Sequence, residues 1–265
     1  MIYWITSADD PRLHSYRHVG DPEWLRHNDL FVAEGRLVVD RLIALDRFAI
    51  ESILVNRAAH DALLHRLSAL DTNVYVCDDE ILSRIAGFNF HRGCLALVAR
   101  PPATSADVLL KAERLLALEG VGNPDNVGGL FRTAAAFGVD GVLLNATSGD
   151  PLYRKAIRTS MGAALRLPFV RLEEWVAGLE RFRGHGFRIV ALTPHAEAVA
   201  IGDFARELDG WERMVVLVGA EGPGLDRVTL DRADARVRIP TDTAVDSLNV
   251  VVAAGIALER LRPRR

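Results

Sequence analysis

Cysteine and lysine are both scarce in this sequence of 265 residues. The two cysteines, Cys77 and Cys94, exclude a disulfide scaffold and any zinc or iron–sulfur site built on several cysteines, and they favour a reducing compartment. Lys111 and Lys155 are the only lysines, so the other 30 of the 32 basic residues are arginines. With 35 acidic residues the net charge is −3, which argues against a nucleic-acid binder that relies on a broadly basic surface.

Long hydrophobic runs are also missing. No apolar segment approaches the roughly 18 residues that a membrane helix needs, and the run at 250–258 stops at Glu259. The first ten residues lack the basic start, apolar stretch and cleavage site of a signal peptide. We therefore expect a cytoplasmic protein without membrane attachment.

The remaining composition is that of a globular protein, with 49% hydrophobic and 25% charged residues. Two prolines and a run of small polar residues make residues 101–111 the best candidate for a linker. The sequence thus predicts an N-terminal domain over residues 1–100 and a C-terminal domain over residues 112–265, both of ordinary size.

Both predicted domains alternate helical and strand-like segments. In the first, residues 31–45 show helical spacing of apolar side chains, and residues 49–56, 73–78 and 94–100 are typical of strands, which predicts a small α/β sandwich. In the second, apolar segments at 114–121, 141–145, 188–193, 214–219 and 235–240 predict buried parallel strands, with helices between them. Such a sheet binds ligands at the carboxyl ends of its strands.

The loop after the first of these strands, residues 119–138, is rich in Gly and Asn and leads into a helix. The dinucleotide pattern G-x-G-x-x-G fails here because Asp125 stands at the third glycine position, which disfavours a nicotinamide-dependent oxidoreductase. A tight turn capped by Asn126 would explain most of the loop. It does not explain Arg132, which interrupts an otherwise apolar stretch of the helix.

Two later strand ends also carry polar residues among small ones. Glu221 lies among three glycines at residues 219–224, and could be a solvated carboxylate or a site residue. Ser247 precedes a helix and could be a bare N-cap or a site residue, whereas Asn249 has no capping role on this interpretation.

Together the three loops resemble the motifs of the SpoU, or TrmH-like, branch of the SPOUT family of RNA methyltransferases. The first motif of that family matches Asn126, Gly128 and Arg132, and the second, G-x-E-G-x-G, matches residues 219–224. The third, I-P followed after a turn by S-L-N, matches Ile239 and Pro240 with residues 247–249.

The resemblance extends beyond the three motifs. Residues 160–168 match the segment between the first two motifs, and residues 31–39 and 90–99 match the family's N-terminal domain, with Arg92 in place of the usual Gln. The resemblance implies a C-terminal α/β trefoil-knot domain with a mostly parallel sheet. It also implies that the N-terminal sandwich is similar to ribosomal-protein-like folds that bind RNA.

The resemblance further implies a function: methyl transfer from S-adenosylmethionine to a ribose 2′-hydroxyl of rRNA or tRNA, without a metal, by a homodimer. Arg132 has the central role, and because a guanidinium is a poor base, we expect it to hold a phosphate and stabilise the reacting oxygen. The other implied catalytic residues are Asn126, Glu221, Ser247 and Asn249. The implied cofactor residues are Leu217, Gly219, Gly222, Gly224, Ile239 and Leu248.

Two alternatives remain at this point. One is a methyltransferase of the same fold that acts on a guanine nitrogen, and the other is a non-catalytic RNA-binding protein. Because residues 1–100 carry 11 arginines and 14 acidic residues, RNA recognition would depend on RNA shape and a few arginines, such as Arg36, Arg41 and Arg92.

Overall fold

The computed structural model describes residues 1–86, 92–208, 213–242 and 247–262. Of the predicted features, Phe90, His91 and residues 243–246 of the third loop lie outside these ranges. The chain divides into two compact units, Met1–Pro102 with Leu152–Leu165, and Ala103–Pro151 with Arg166–Arg265.

Twelve strands occur in the described ranges. In chain order they are β1 (Ile2–Trp4), β2 (Leu30–Glu34), β3 (Ile50–Asn56), β4 (Asn73–Cys77), β5 (Cys94–Ala99), β6 (Arg114–Glu119), β7 (Gly141–Leu144), β8 (Phe169–Arg171), β9 (Arg188–Leu192), β10 (Val199–Ala200), β11 (Met214–Gly219) and β12 (Ala235–Arg238).

The same ranges contain eleven α-helices and two 3-10 helices, Pro11–His18 and Ala106–Lys111. The α-helices are α1 (Pro22–His27), α2 (Arg36–Leu45), α3 (Arg57–Leu67), α4 (Asp79–Ala86), α5 (Pro124–Ala136), α6 (Arg154–Thr159), α7 (Ala163–Arg166), α8 (Trp175–Gly184), α9 (Ile201–Glu207), α10 (Arg227–Arg232) and α11 (Val250–Arg260). None of the helices in this part of the chain combines the length and apolar character needed to cross a bilayer.

The first unit is built on a five-stranded sheet in the order β1-β4-β3-β5-β2. Strands β1, β4 and β3 are parallel, while β5 runs antiparallel to both β3 and β2. The sheet is buried on both faces, since the consecutive residues Ile53, Leu54 and Val55 are all inaccessible to solvent. The carboxyl ends of β1, β2, β3 and β4 therefore lie at one edge of the sheet.

The predicted helix over 31–45 is only partly correct. Residues Leu30–Glu34 form the edge strand β2, which pairs with β5, and the helix α2 begins at Arg36. Gly35 separates the two elements with a φ of 96°, a conformation that favours glycine. Sheet pairing thus overrides helix formation at the start of this segment, because residues 30–34 complete the sheet of the first unit.

The second unit is a seven-stranded sheet in the order β10-β12-β9-β11-β6-β7-β8, with all paired strands parallel. The mostly parallel sheet and its five predicted strands are confirmed. One face packs against α8, α10 and the 3-10 helix, through residues such as Leu179, Leu230 and Leu109. The helix α11 packs against both α5 and β11.

The division of the chain differs from the predicted boundaries in two places. Residues of the predicted linker form the 3-10 helix Ala106–Lys111, and Leu109 is buried in the core of the second unit. Residues 152–165 belong to the first unit, where α6 packs against β2. This grouping depends on contacts that are distant in sequence, such as that between Glu34 and Arg158, so a reading of local composition could not find it.

Candidate active site

Three loops meet at the carboxyl edge of the parallel sheet of the second unit. They follow β6, β11 and β12, and β11 lies directly beside β6. Parallel strands end at the same edge, so the loops that follow neighbouring strands are brought together whatever their separation in sequence.

The first loop positions Asn126 inside a helix rather than at its cap. The N-cap of α5 is Asn123, whose side-chain oxygen accepts a hydrogen bond from the backbone N–H of Asp125 at 2.9 Å. Asn126 lies in the first turn of α5 and is only 7% exposed. Asn126 is therefore not the cap of this helix, which was the alternative to a functional role, and its buried amide is available for contacts with other loops.

Asn145, at the carboxyl end of β7, fixes the start of this loop and was missed by the sequence reasoning. Its side-chain oxygen accepts a hydrogen bond from the backbone N–H of Gly120 at 3.0 Å and one from the Ser148 hydroxyl at 2.7 Å. Arg171 donates to the backbone carbonyls of Asn145 and Ser148 at 2.6 and 2.9 Å. A polar residue at the end of an apolar strand is the signal that could have identified Asn145.

The second loop turns back on its own strand at Gly219. The backbone N–H of Gly224 donates to the carbonyl of Ala220 at 3.0 Å, so that the loop closes tightly. A Cβ atom on Gly219 would lie 2.2 Å from the carbonyl carbon of Gly224, so only glycine fits there. The loop holds Glu221 beside the start of α11.

The third loop ends at Asn249, which is the N-cap of α11. Its side-chain oxygen accepts a hydrogen bond from the backbone N–H of Val251 at 2.9 Å. The sequence left Ser247 open as either the cap of this helix or a site residue, and the structure places the cap two residues later, at Asn249. Several residues near a helix start can serve as caps, and local sequence does not decide between them.

The amide group of Asn249 joins the three loops. Its nitrogen donates to Asn126 Oδ1 at 3.2 Å and to Glu221 Oε1 at 3.1 Å. An amide has two N–H donors and one acceptor oxygen, so Asn249 can cap α11 and bind both partners at once. The structure thus brings together three of the five predicted catalytic residues.

The other two predicted catalytic residues lie apart from this cluster. Ser247 lines the neighbouring cavity but makes no hydrogen bond with a described residue. Arg132 lies on α5 with an exposed side chain, and within the described ranges it forms no hydrogen bond or ion pair. Its guanidinium is therefore accessible to a substrate from solvent.

A cavity of about 330 Å³ opens beside the cluster, within the range of small-molecule sites. Of the predicted cofactor residues, Gly219, Gly222, Gly224, Ile239 and Leu248 line it. Leu217 does not, because successive residues of a strand face opposite sides and its side chain is buried in the core; Val218 lines the cavity instead. The prediction for the Leu217 side chain is therefore corrected.

Glu119 is a buried carboxyl group on the last residue of β6, paired in register with Gly219. The hydroxyl of Thr229 donates to Glu119 Oε1 at 2.8 Å. Burial raises the pKa of Glu119 above its ordinary value, and the hydrogen bond from Thr229 opposes this shift only in part. Glu119 was not identified from the sequence, although it ends a buried strand.

The three arginines predicted to bind RNA lie in the first unit. Arg36 and Arg92 are exposed and line one groove, together with Glu34. Arg41 instead donates from Nη1 to the backbone carbonyl of Met161, so part of its guanidinium serves to hold the segment 152–165. Among the described residues, no group of three or more His, Cys, Asp or Glu side chains could hold a metal ion.

Comparisons with known proteins agree with the geometry of the second unit. Residues 113–259 match the model of the SpoU rRNA Methylase family. An uncharacterized tRNA/rRNA methyltransferase of Mycobacterium tuberculosis is 38% identical over 264 residues, which cover 97% of this chain and 91% of that protein.

Two solved structures match this chain over nearly its full length. The AdoMet-bound rRNA methyltransferase of Sinorhizobium meliloti has a TM-score of 0.82 at 25% identity, covering 98% of this chain and 97% of that one. An RNA 2′-O ribose methyltransferase has a TM-score of 0.79 at 26% identity, covering 98% of each chain.

Proposed function

Because this chain belongs to the SpoU rRNA methylase family, we propose that it transfers a methyl group to a ribose 2′-hydroxyl of RNA. Family membership establishes it as an RNA methyltransferase that uses S-adenosylmethionine. The proposal that the target is a ribose 2′-hydroxyl depends on one observation, the hydrogen-bonded cluster of Asn126, Glu221 and Asn249 beside the cavity. The match to an RNA 2′-O ribose methyltransferase over nearly its full length supports it.

The cavity is suited to S-adenosylmethionine in its shape and chemistry. Its walls include the apolar side chains of Ile239 and Leu248, which suit an adenine ring. Cβ atoms added to Gly222 and Gly224 would meet no atom within 4 Å, so these glycines leave open space along the loop. When bound, S-adenosylmethionine supplies a methyl group on a positively charged sulfur.

The residues of the cluster act by positioning. Asn249 is fixed by its cap contact and its two hydrogen bonds, so it presents a rigid polar surface toward the ribose. Glu221 holds the Asn249 amide from the second loop. Ser247 makes no hydrogen bond with a described residue, so its hydroxyl is assigned to an RNA phosphate. Holding the reacting groups in a productive geometry lowers the activation barrier by about 7 kcal/mol or more in the best cases.

Arg132 supplies the charge that the reaction requires. As the ribose oxygen bonds to the methyl carbon, the carbon–sulfur bond would break and the hydroxyl proton would pass to solvent water. A guanidinium that remains protonated stabilises the negative charge that builds up on the oxygen. Its exposure on α5 supports a role on the RNA side rather than in the cavity. It would also hold a phosphate next to the target ribose.

The proposal extends to the arrangement of the whole protein. We propose that the first unit binds rRNA or tRNA, that the second holds the cofactor in a trefoil knot, and that two copies pair through the second unit. A sedimentation mass near that of one chain at micromolar concentration would contradict the pairing.

Nucleoside mass spectrometry of RNA from a strain that lacks this protein tests the reaction. We expect one 2′-O-methylated nucleoside to be lost and to return when the intact gene is restored. Loss of a base-methylated guanosine instead would favour the alternative reaction at a guanine nitrogen. Unchanged RNA would favour a non-catalytic RNA-binding role.

A further inference from the structure

A groove of about 800 Å³ lies in the first unit and shares no lining residue with the cavity of the second unit. Its lining includes four arginines from four separate segments: Arg36 of α2, Arg66 of α3, Arg92 before β5, and Arg158 of α6. We call it the arginine groove. It lies at the carboxyl edge of the five-stranded sheet, where β2 ends at Glu34.

Glu34 orients the arginines on one side of this groove. It is 3% exposed, and its carboxylate accepts hydrogen bonds from Arg158 Nη1 at 3.2 and 3.3 Å. Arg154 Nη1 lies 3.2 Å from Oε2 and Arg92 Nε lies 3.4 Å from Oε1. One carboxylate thus faces three guanidinium groups, so it holds their positions without neutralising their combined charge.

The charge of the arginine groove differs from that of the sequence around it. Among its ionisable lining residues, four arginines face two carboxylates, Glu34 and Asp40, with His65 as the only other titratable group in the described part. Residues 1–100 as a whole have more acidic than basic residues. The segment 152–165, which joins this unit, adds Arg154, Lys155 and Arg158 and no acidic residue.

Parts of these arginines remain available to a ligand. Arg36 is exposed and forms no hydrogen bond or ion pair with a described residue. Arg92 keeps 54% of its side chain exposed despite its contact with Glu34. Arg66 is held by Asp40 through Nε at 3.0 Å, which leaves its terminal nitrogens for other partners. Guanidinium groups arranged in this way suit phosphate oxygens.

The rest of the lining indicates which part of RNA would bind. The described lining contains no Phe, Tyr or Trp on which a base could stack, and one wall consists of the small residues Ala58, Ala59 and Ala62. Phosphates can therefore be held here, whereas the described part of the lining offers a base no aromatic platform. The uncapped first turn of α2, which begins after Gly35, adds backbone N–H groups on the same side.

We propose that the arginine groove is a binding site for consecutive phosphates of an RNA strand, with Glu34 as the positioning residue that orients Arg92, Arg154 and Arg158. This inference rests on the proposed function, since that function makes RNA the polymer the protein meets. The groove supplies affinity without base preference, so the choice of nucleotide is left to other parts of the protein.

The test compares the full-length protein with Arg36→Ala/Arg66→Ala, using a 20-nucleotide oligouridine and an oligoadenine of the same length as probes. The matched control is Arg26→Ala/Arg84→Ala, which removes two exposed arginines of the same unit that do not line the groove. Affinity is measured at several salt concentrations, and S-adenosylmethionine binding is measured in parallel. A charge reversal, Arg36→Glu, serves as a second variant.

For the groove variant we expect oligouridine affinity to fall about tenfold or more at low salt. The negative slope of log K against log salt should become shallower by about 1.4, at about 0.7 for each lost phosphate contact to a single strand. Arg36→Glu changes the charge of the groove by the same amount and should weaken binding to a similar extent, and cofactor binding should not change. Both oligonucleotides should respond equally.

Equal oligonucleotide affinity in the wild type and both groove variants would overturn the inference, as would an equal loss in the control. A loss for oligouridine alone would also overturn it, because that result requires base recognition. Formation of the 2′-O-methyl product is measured in a separate assay. If oligonucleotide binding depends on the groove but no 2′-O-methyl product forms, the proposed reaction fails and the phosphate site stands.

Discussion

The side-chain nitrogen of Asn249 lies 3.2 Å from the amide oxygen of Asn126, although 123 residues separate them in the sequence. The same nitrogen donates to Glu221, and the oxygen of the same side chain caps α11. These three contacts need two donors and one acceptor on one short side chain, which an amide provides and a hydroxyl or carboxylate does not. The identity of residue 249 therefore follows from its place between three loops.

Asn249→Asp separates the capping role of this residue from its role in the cluster. The carboxylate can still cap α11, but it cannot donate to Asn126 and it brings a second negative charge toward Glu221. We expect methyl transfer to fall by about 10²-fold, the effect of misplacing a reacting group by about 1 Å. The Asn249→Asp variant should remain folded, which circular dichroism can verify.

Asn28→Asp is the control for this exchange, since Asn28 is an exposed amide at the end of α1 in the other unit. It should leave the rate of methyl transfer unchanged. If Asn249→Asp turned over at the wild-type rate, the cluster would have no role in methyl transfer.

Arg132→Ala tests the assignment of the exposed arginine to the RNA side. We expect methyl transfer to be abolished while S-adenosylmethionine affinity stays nearly intact, because Arg132 does not line the cavity. Arg132→Lys should also fail if a planar bidentate contact is needed. Calorimetry gives the cofactor affinity and a labelled methyl donor gives the rate.

Arg227→Ala provides the comparison, since Arg227 is a 95% exposed arginine of the same unit. Its transfer rate should match that of the wild type. Near-normal turnover of Arg132→Ala on a verified RNA would show that the assignment is wrong.

Gly219→Ala tests whether the second loop shapes the cofactor site. The added Cβ would overlap backbone atoms of Gly224, so the loop has to move. Overpacking of this kind costs about 1–3 kcal/mol, and we expect S-adenosylmethionine affinity to fall roughly tenfold or more. Gly202→Ala is the matched exchange, because a Cβ on that residue of α9 meets no atom within 4 Å. Equal affinity in the two variants would contradict the role given to the loop.

Glu119→Gln tests the consequence of the raised pKa of Glu119 for stability. A raised pKa means that the folded state disfavours the ionised form, so the free energy of unfolding declines as the pH rises above the ordinary value near 4.5. The decline ends once the pH passes the raised pKa. Glutamine keeps an acceptor for the Thr229 hydroxyl and does not ionise, so the variant should lack this decline.

Urea unfolding between pH 4.5 and 8 measures this difference, with Glu197→Gln as the exchange at an exposed carboxylate. The stability of Glu119→Gln relative to the wild type should increase with pH, and that of Glu197→Gln should stay constant. A constant difference for Glu119→Gln would mean that Glu119 ionises as easily in the folded state as in the unfolded one.

The sequence predicts the second unit better than the first for a physical reason. Strands such as β6 and β11 are apolar on both faces because helices cover both sides of a parallel sheet, and this pattern is visible locally. The strands β8 and β10 have three and two residues and show no such pattern. The strand β2 was not predicted, because its apolar residues continue the helical spacing of α2.

Site residues were predictable where a motif carries them, and less so where the contact is distant. The sequence pointed to Asn126, Glu221 and Asn249, but it did not identify Asn123 and Asn249 as the helix caps. Nothing near Glu34 in the sequence indicates Arg154 and Arg158, which the fold brings to its carboxylate. Such contacts depend on the completed fold and not on local propensity.

The most direct test of the proposed reaction uses the purified full-length protein, S-adenosylmethionine with a deuterated methyl group, and RNA from a strain that lacks the protein. After digestion, mass spectrometry locates the label in a ribose or a base fragment. We predict label on the ribose of one 2′-O-methylated nucleoside, and none with Arg132→Ala. Label on a base fragment, or no label although the protein binds both the cofactor and the RNA, would contradict the proposal.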